Sequence, residues 1–267
     1  RLRCDWSSDV CSSDLITQAA VRMLASAGVL IGFSGGGGTP LLMANEIEWL
    51  NPQSEYRPTE YVQGWLSFWF DDTKRLTAAK YLQQQRIAFL QRVWRKDSDL
   101  SVQGFNLEDD DIYQALQSFD HRMGKAEKVS ELLLIEAQLT KSLYKVAIKR
   151  TQQTAFTRQH DGIDEANAFL NHGNYLAYGL AACTLWVLGI PHGFAVMHGK
   201  TRRGALVFDV ADLVKDALIL PWAFICAKEN ATEQEFRQQA LQNFTNHKAL
   251  DFMFDTVKDI ALKGSEL

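Results

Sequence analysis

Cysteine is scarce, with four residues in 267, at positions 4, 11, 183 and 226, and no two are spaced as Cys-x-x-Cys. No Cys/His spacing suits zinc, and a disulfide framework is not expected, which fits a reducing cytoplasm. No apolar run is long enough for a membrane. The longest, residues 175–197, is broken at Gly189-Ile190-Pro191-His192-Gly193. It leaves about 16 residues on one side where about 20 are needed, so a buried helix is expected. An excess of basic charge is also missing, since the formal net charge is −4 and the pI about 5.9. Any nucleic-acid surface must then be a local basic patch. Gly35-Gly36-Gly37-Gly38 lacks the following Lys-Ser/Thr of a phosphate loop; Thr39-Pro40 stands there instead, so a turn is expected. No internal repeat is evident.

What remains is an ordinary soluble composition, 46% hydrophobic and 22% charged, in a chain large enough for a substantial core. Residues 1–15 show neither the apolar core of a signal peptide nor helix or strand patterning. The run Trp6–Leu15 can be encoded by a stretch that resembles a common sequencing adapter. These fifteen residues are therefore expected to be non-native, with authentic sequence starting near Ile16 and Cys4 and Cys11 carrying no function.

Beyond them, residues 17–27 have helical spacing and residues 29–33 form a strand candidate. A long helical pattern runs over 58–96 with Pro58 at its first position. Its basic residues, Lys74, Arg75, Lys80, Arg86, Arg92, Arg95 and Lys96, fit a solvated face better than a DNA track. Residues 98–105 suit a linker. Further helices are expected over 108–122, over 131–150 with Ser130 as N-cap, and over 164–188, 233–244 and 248–262. The expected fold is α+β and mainly α: a truncated N-terminal β-rich domain remaining in 16–50, then a large all-helical catalytic domain over 51–267.

Residues 198–216 concentrate the chemistry. Asp209 and Asp212 stand three apart in a segment whose apolar positions (Leu206, Phe208, Val210, Leu213, Val214, Leu218) suit a helix. That spacing puts both carboxylates on one face, about 5–6 Å apart at Cβ. At an effective dielectric near 20 two bare charges at about 6 Å repel by about 3 kcal/mol. A proton, an arginine or a divalent cation between them would relieve this. His198 adds a nitrogen donor, and Lys200, Arg202 and Arg203 suggest that the anion handled is a phosphate. Such a mixed donor set suits Mg²⁺ or Mn²⁺. A third carboxylate would come from another helix, with Glu131 and Glu136 as candidates. The bland alternatives are a core histidine at 198 and pairing of the two aspartates with Arg202 and Arg203. His172 and His192 fit helix packing better than catalysis.

Four segments carry a resemblance. Gly32-Phe33-Ser34-Gly35-Gly36-Gly37-Gly38-Thr39-Pro40, Pro52-Gln53-Ser54-Glu55-Tyr56-Arg57-Pro58-Thr59-Glu60-Tyr61, Phe169-Leu170-Asn171-His172-Gly173-Asn174-Tyr175-Leu176-Ala177-Tyr178-Gly179 and residues 198–216 are similar to the CRISPR-associated adaptation integrase and endonuclease, Cas one, of subtype I-F. The likeness extends from Ile16 to the C-terminus. It implies a β-rich domain followed by a helical catalytic domain, working as a homodimer. Carried over residue by residue, it places metal ligands at Glu136, His198 and Asp212, a further active-site acid at Asp209, and DNA contacts at Lys200, Arg202 and Arg203. The implied reaction inserts a short prespacer DNA into the leader–repeat end of a CRISPR array by 3′-hydroxyl attack on phosphodiesters, in antiviral defence. The implied cofactor is Mg²⁺ or Mn²⁺. The implied partner is a Cas two subunit fused to a helicase–nuclease, with no membrane, in the bacterial cytoplasm. A catalytically silent DNA-holding subunit of the same complex is the alternative.

Overall fold

The computed structural model describes residues 16–33, 48–50, 58–153, 156–159, 164–199 and 204–263. Helix α1 (Gln18–Ser26) is capped by the Thr17 hydroxyl, which accepts from the Ala20 amide at 3.2 Å. Strands β1 (Ile31–Phe33) and β2 (Glu48–Leu50) pair antiparallel, with Gly32 opposite Trp49. Among the described residues strand structure is confined to this ladder. Residues 1–15 and the glycine run at 35–38 lie outside the described residues.

The expected helix over 58–96 is two helices, α2 (Thr59–Trp69) and α3 (Asp72–Lys96). Asp71 makes the break: its carboxylate accepts from the Thr73 and Lys74 amides at 2.9 and 3.1 Å, capping α3. Pro58 precedes the first turn of α2 and does not sit within it. The expected linker after Lys96 contains a short helix, α4 (Ser98–Val102), because Asp97 caps the Asp99 and Leu100 amides. Helices α5 (Asp110–Lys125) and α6 (Val129–Thr151) pack on each other, with Arg150 bonded to Asp109 and Asp111 and Lys149 to Asp111. Ser130 lies inside α6 and does not cap it. Lys128 holds the N-cap position, and the Glu131 side chain reaches back to the Glu127 amide at 2.8 Å.

Helix α7 (Glu165–Leu188) is capped by Asp164 and ended by Gly189 in the left-handed region at φ 68°. It packs against α8 (Ala205–Val214), α9 (Leu220–Lys228) and α11 (Ala249–Lys263), while α10 (Glu233–Asn246) covers α9 and α11. The expected buried helix is therefore α7, and no described helix is long and apolar enough to cross a membrane.

A π-helical turn, Lys215–Ile219, joins α8 to α9. Its cause is Pro221: without an amide hydrogen, proline cannot bond the carbonyl of Ala217 four residues earlier. Trp94 of α3 takes that carbonyl instead, its indole N–H donating at 3.1 Å. The core is closed by α2 against α11, where a Cβ on Gly64 would stand 1.9 Å from the Ala261 carbonyl oxygen.

Candidate active site

The loop leading to His198 is held from both sides of its backbone. On one side Trp65 and Trp69, one turn apart on α2, donate their indole N–H groups to the Phe194 and Ala195 carbonyls at 2.9 and 2.7 Å. On the other side the buried Asp209 carboxylate takes the amides of Val196 (2.8 Å), Met197 (3.0 Å) and His198 (3.0 Å). Those five bonds, to consecutive residues Phe194 to His198, fix where the His198 side chain starts. Asp209 fixes where its ring points: Oδ1 lies 2.6 Å from His198 Nδ1. With a carboxylate accepting there, the proton of the neutral ring sits on Nδ1 and the lone pair on Nε2. The two Trp rings, packed in and against the core, thus also carry polar contacts to this loop.

Asp212, one turn on along α8, lies on the other side of the ring. His198 Nε2 and Asp212 Oδ2 are 4.0 Å apart, and Asp212 Oδ1 meets Lys215 Nζ at 2.5 Å. What separates the two crowded aspartates is therefore the imidazole of His198. Burial opposes charge on Asp212, but Lys215, then Arg86 and His198, outweigh it and hold its carboxyl below the usual range. Burial likewise opposes charge on the His198 ring; the Asp209 bond and the negative charges of Asp212, Asp209 and Glu136 outweigh it and push its pKa up. Tyr178 of α7 lies beneath Lys215, with its ring centroid 5.3 Å from Nζ and its edge against Phe208.

Glu136 of α6 faces this group across Arg86. The Arg86 guanidinium, on α3, bonds Glu136 Oε1 at 2.9 Å and Asp216 Oδ2 at 2.5 and 2.8 Å. Arg86 is buried, 3% exposed, and so does not belong to the solvated face expected of the α3 cations. Burial opposes its charge, yet the neighbouring carboxylates hold its pKa above the ordinary arginine value. Asp216 is pushed up by burial, with Arg86 pulling the other way. Position 86 shares a helix stripe with Leu82, Phe89, Leu90 and Val93, all buried. That placement on an apolar face was the available signal for Arg86.

The structure thus brings His198, Asp209 and Asp212 together and sets Glu136 beside them on Arg86. Glu131 is exposed in the first turn of α6, where it accepts from the Glu127 amide. Lys200, Arg202 and Arg203 lie outside the described residues. His172 bonds Glu233 of α10 at 2.6 Å, a packing role. His192 offers its carbonyl to the Leu206 amide at 3.0 Å.

Among the described residues no three His, Cys, Asp or Glu side chains converge closely enough to hold a metal ion as they stand. The chemistry of the donors nevertheless suits one. Two donors each about 2.1 Å from a cation lie between about 3.0 and 4.2 Å apart, and His198 Nε2 and Asp212 Oδ2 are within that span. Four carboxylates (Glu136, Asp209, Asp212, Asp216) face two permanent cations, Arg86 and Lys215, so the neutral-imidazole state carries two uncompensated negative charges. A divalent ion held by these side chains would cancel them.

A family described as "CRISPR associated protein Cas1" matches residues 10–255. The chain belongs to the Cas1 family. The CRISPR-associated endonuclease Cas1 of Pseudomonas aeruginosa (strain UCBPP-PA14) is 53% identical over 256 residues, covering 94% of this chain and 79% of that protein. Among solved structures, a TtCas1–DNA complex superposes with a TM-score of 0.58 at 19% identity, over 92% of this chain and 76% of that one. A casposase bound to its integration product gives 0.60 at 15% identity, over 94% and 80%. These two likenesses establish the Cas1 fold for the described helices.

Proposed function

We propose that this chain is a divalent-metal-dependent DNA endonuclease and integrase of CRISPR adaptation, subtype I-F, which inserts prespacer DNA into the leader–repeat end of the array. The observation that carries the reading is the His198–Asp209–Asp212–Lys215 cluster facing Glu136 in a Cas1-family chain. A 3′-hydroxyl would attack a phosphodiester there, and water in its place would give hydrolysis. The DNA-bound TtCas1 and the casposase with its integration product support DNA as the substrate.

Glu136, His198 and Asp212 would hold Mg²⁺ or Mn²⁺, which would lower the pKa of the attacking hydroxyl and stabilise charge on the phosphoryl oxygens. Asp209 is an orienting group: both its oxygens are occupied by the loop amides and His198, so it holds Nε2 toward Asp212. That occupation argues against a proton-transfer role for this acid. Lys215 neutralises Asp212 on the side away from His198. Lys200, Arg202 and Arg203 would contact flanking phosphates. The working assembly is a homodimer with a Cas two subunit fused to a helicase–nuclease, in the bacterial cytoplasm.

The test is cleavage and strand transfer on a branched duplex with Mn²⁺. Asp212→Ala is expected to lower the rate by at least about a hundredfold while DNA binding persists, and excess EDTA to do the same. Equal rates in Asp212→Ala or in EDTA would sink the active-site assignment. DNA binding with no metal-dependent chemistry in the unaltered chain would instead favour the silent, DNA-holding subunit.

A further inference from the structure

Arg86 spends every N–H it has inside one buried cluster. Nε donates to Asp216 Oδ2; Nη2 donates to the same oxygen and to Thr140 Oγ1 at 3.1 Å; Nη1 donates to Glu136 Oε1 and to Gln83 Oε1 at 3.3 Å. A guanidinium has five donors in a rigid fork, so this one is saturated and its orientation is over-determined. Glu136 meets the cluster through Oε1, which also faces Thr140 Oγ1 at 3.4 Å. Its other oxygen takes no part in these bonds.

A permanent cation beside a metal ligand is a liability, because it repels the incoming ion and competes for the same carboxylate. The arrangement here removes that liability. Asp216, whose two contacts to Arg86 are the shortest of the set, gives the guanidinium a counter-charge of its own, so Glu136 is not its sole partner. Asp216 reaches Arg86 from the π-helical turn after α8, on the same segment as Asp212 and Lys215.

We infer that Arg86 and Asp216 form a positioning pair for Glu136: Arg86 pins Oε1 so that Oε2 is the ligating oxygen, and Asp216 cancels the guanidinium charge so that Glu136 keeps its own for the ion. This rests on the metal-site reading above, and goes beyond it in assigning two residues outside the donor set. Neither is a catalytic residue. Asp216→Asn keeps an oxygen acceptor for Arg86 but leaves its positive charge uncompensated. Arg86→Gln combined with Asp216→Asn removes both charges, and the glutamine amide can still donate to Glu136.

The experiment is Mn²⁺ affinity of the full chain, read from the free-ion electron paramagnetic resonance signal, with thermal melting in parallel. Asp216→Asn is expected to bind Mn²⁺ about tenfold more weakly, and the double variant to recover to within about threefold of the unaltered chain. Unchanged affinity in Asp216→Asn overturns the inference. So does a double variant as weak as or weaker than Asp216→Asn, since a purely structural role predicts no recovery. Asp212→Ala separates the two levels. Loss of Mn²⁺ binding there alongside an unaffected Asp216→Asn sinks the positioning pair alone. Undiminished binding in Asp212→Ala sinks the metal site and the pair with it.

Discussion

Asp209→Asn is the sharpest perturbation of this site, because it changes one atom and removes no volume. The carboxylate receives two donors on each oxygen: Val196 and Met197 amides on Oδ2, and the His198 amide and Nδ1 on Oδ1. An amide offers one acceptor oxygen and one two-donor nitrogen. The N–H₂ then faces either the Val196 and Met197 amides, or the His198 amide with an Nδ1 that must shift its proton to Nε2 to accept from it, inside a site that is closed to water, Asp209 being only 3% exposed. Each buried donor left unmatched costs about 1–3 kcal/mol, so the one or two left here, with the forced tautomer, should cost about 3 kcal/mol after the loop adjusts. In a chain of this size that is about 6–12 °C in Tm, at about 2–4 °C per kcal/mol. The assay is thermal unfolding followed by circular dichroism at fixed protein concentration, with Asp212→Asn as comparator. That variant keeps an oxygen for Lys215 and disturbs no backbone amide, so its Tm should fall by less. An Asp209→Asn protein melting within about 2 °C of the unaltered chain, or no lower than Asp212→Asn, would refute Asp209 as the anchor of the 194–198 loop.

Two further outcomes follow from the packing and the charges. Gly64→Ala should destabilise the protein by about 2–4 kcal/mol, since the new methyl meets the Ala261 carbonyl and backbone cannot rotate away as a side chain can; a Tm equal to that of the unaltered chain would show that α2 and α11 do not cross as described. The His198 pKa lies above its ordinary value of about 6.5, burial opposing and the Asp209 bond with the surrounding carboxylates prevailing. Stability from that protonated ring is fully present below the unfolded pKa and fades as pH rises through the folded one. The ring must lose its second proton to bind a metal, so Mn²⁺ affinity should fall as pH drops through the raised pKa. A metal titration flat between about pH 6 and 8 would count against His198 as a ligand.

The difference between what was legible and what was not has a physical basis. Most helices could be placed from apolar spacing, and their misplaced ends trace to side chains bonding nearby amides. Asp71 divides one pattern into two helices, Asp97 starts α4 inside an expected linker, and Ser130 is passed over with Lys128 at the N-cap. Proline's missing donor at 221 is written in the chain, but the partner of the carbonyl it leaves free, Trp94 arriving from α3 onto Ala217, is not.

By itself the sequence determined the family and the short-range chemistry. Asp209 and Asp212 share a helix face because they are three residues apart, and His198 is near enough along the chain for a loop to fold back on them. Only the tertiary structure decided which partner each charge has. Arg86 looked like one surface cation among seven on its helix, and became the buried counter-charge of Glu136 and Asp216, 50 and 130 residues away. Spacing reports neighbours one or two turns off; it carries no information on which of several like charges is turned inward. That choice is made when α3, α6 and the turn after α8 pack together and a buried carboxylate must find a cation.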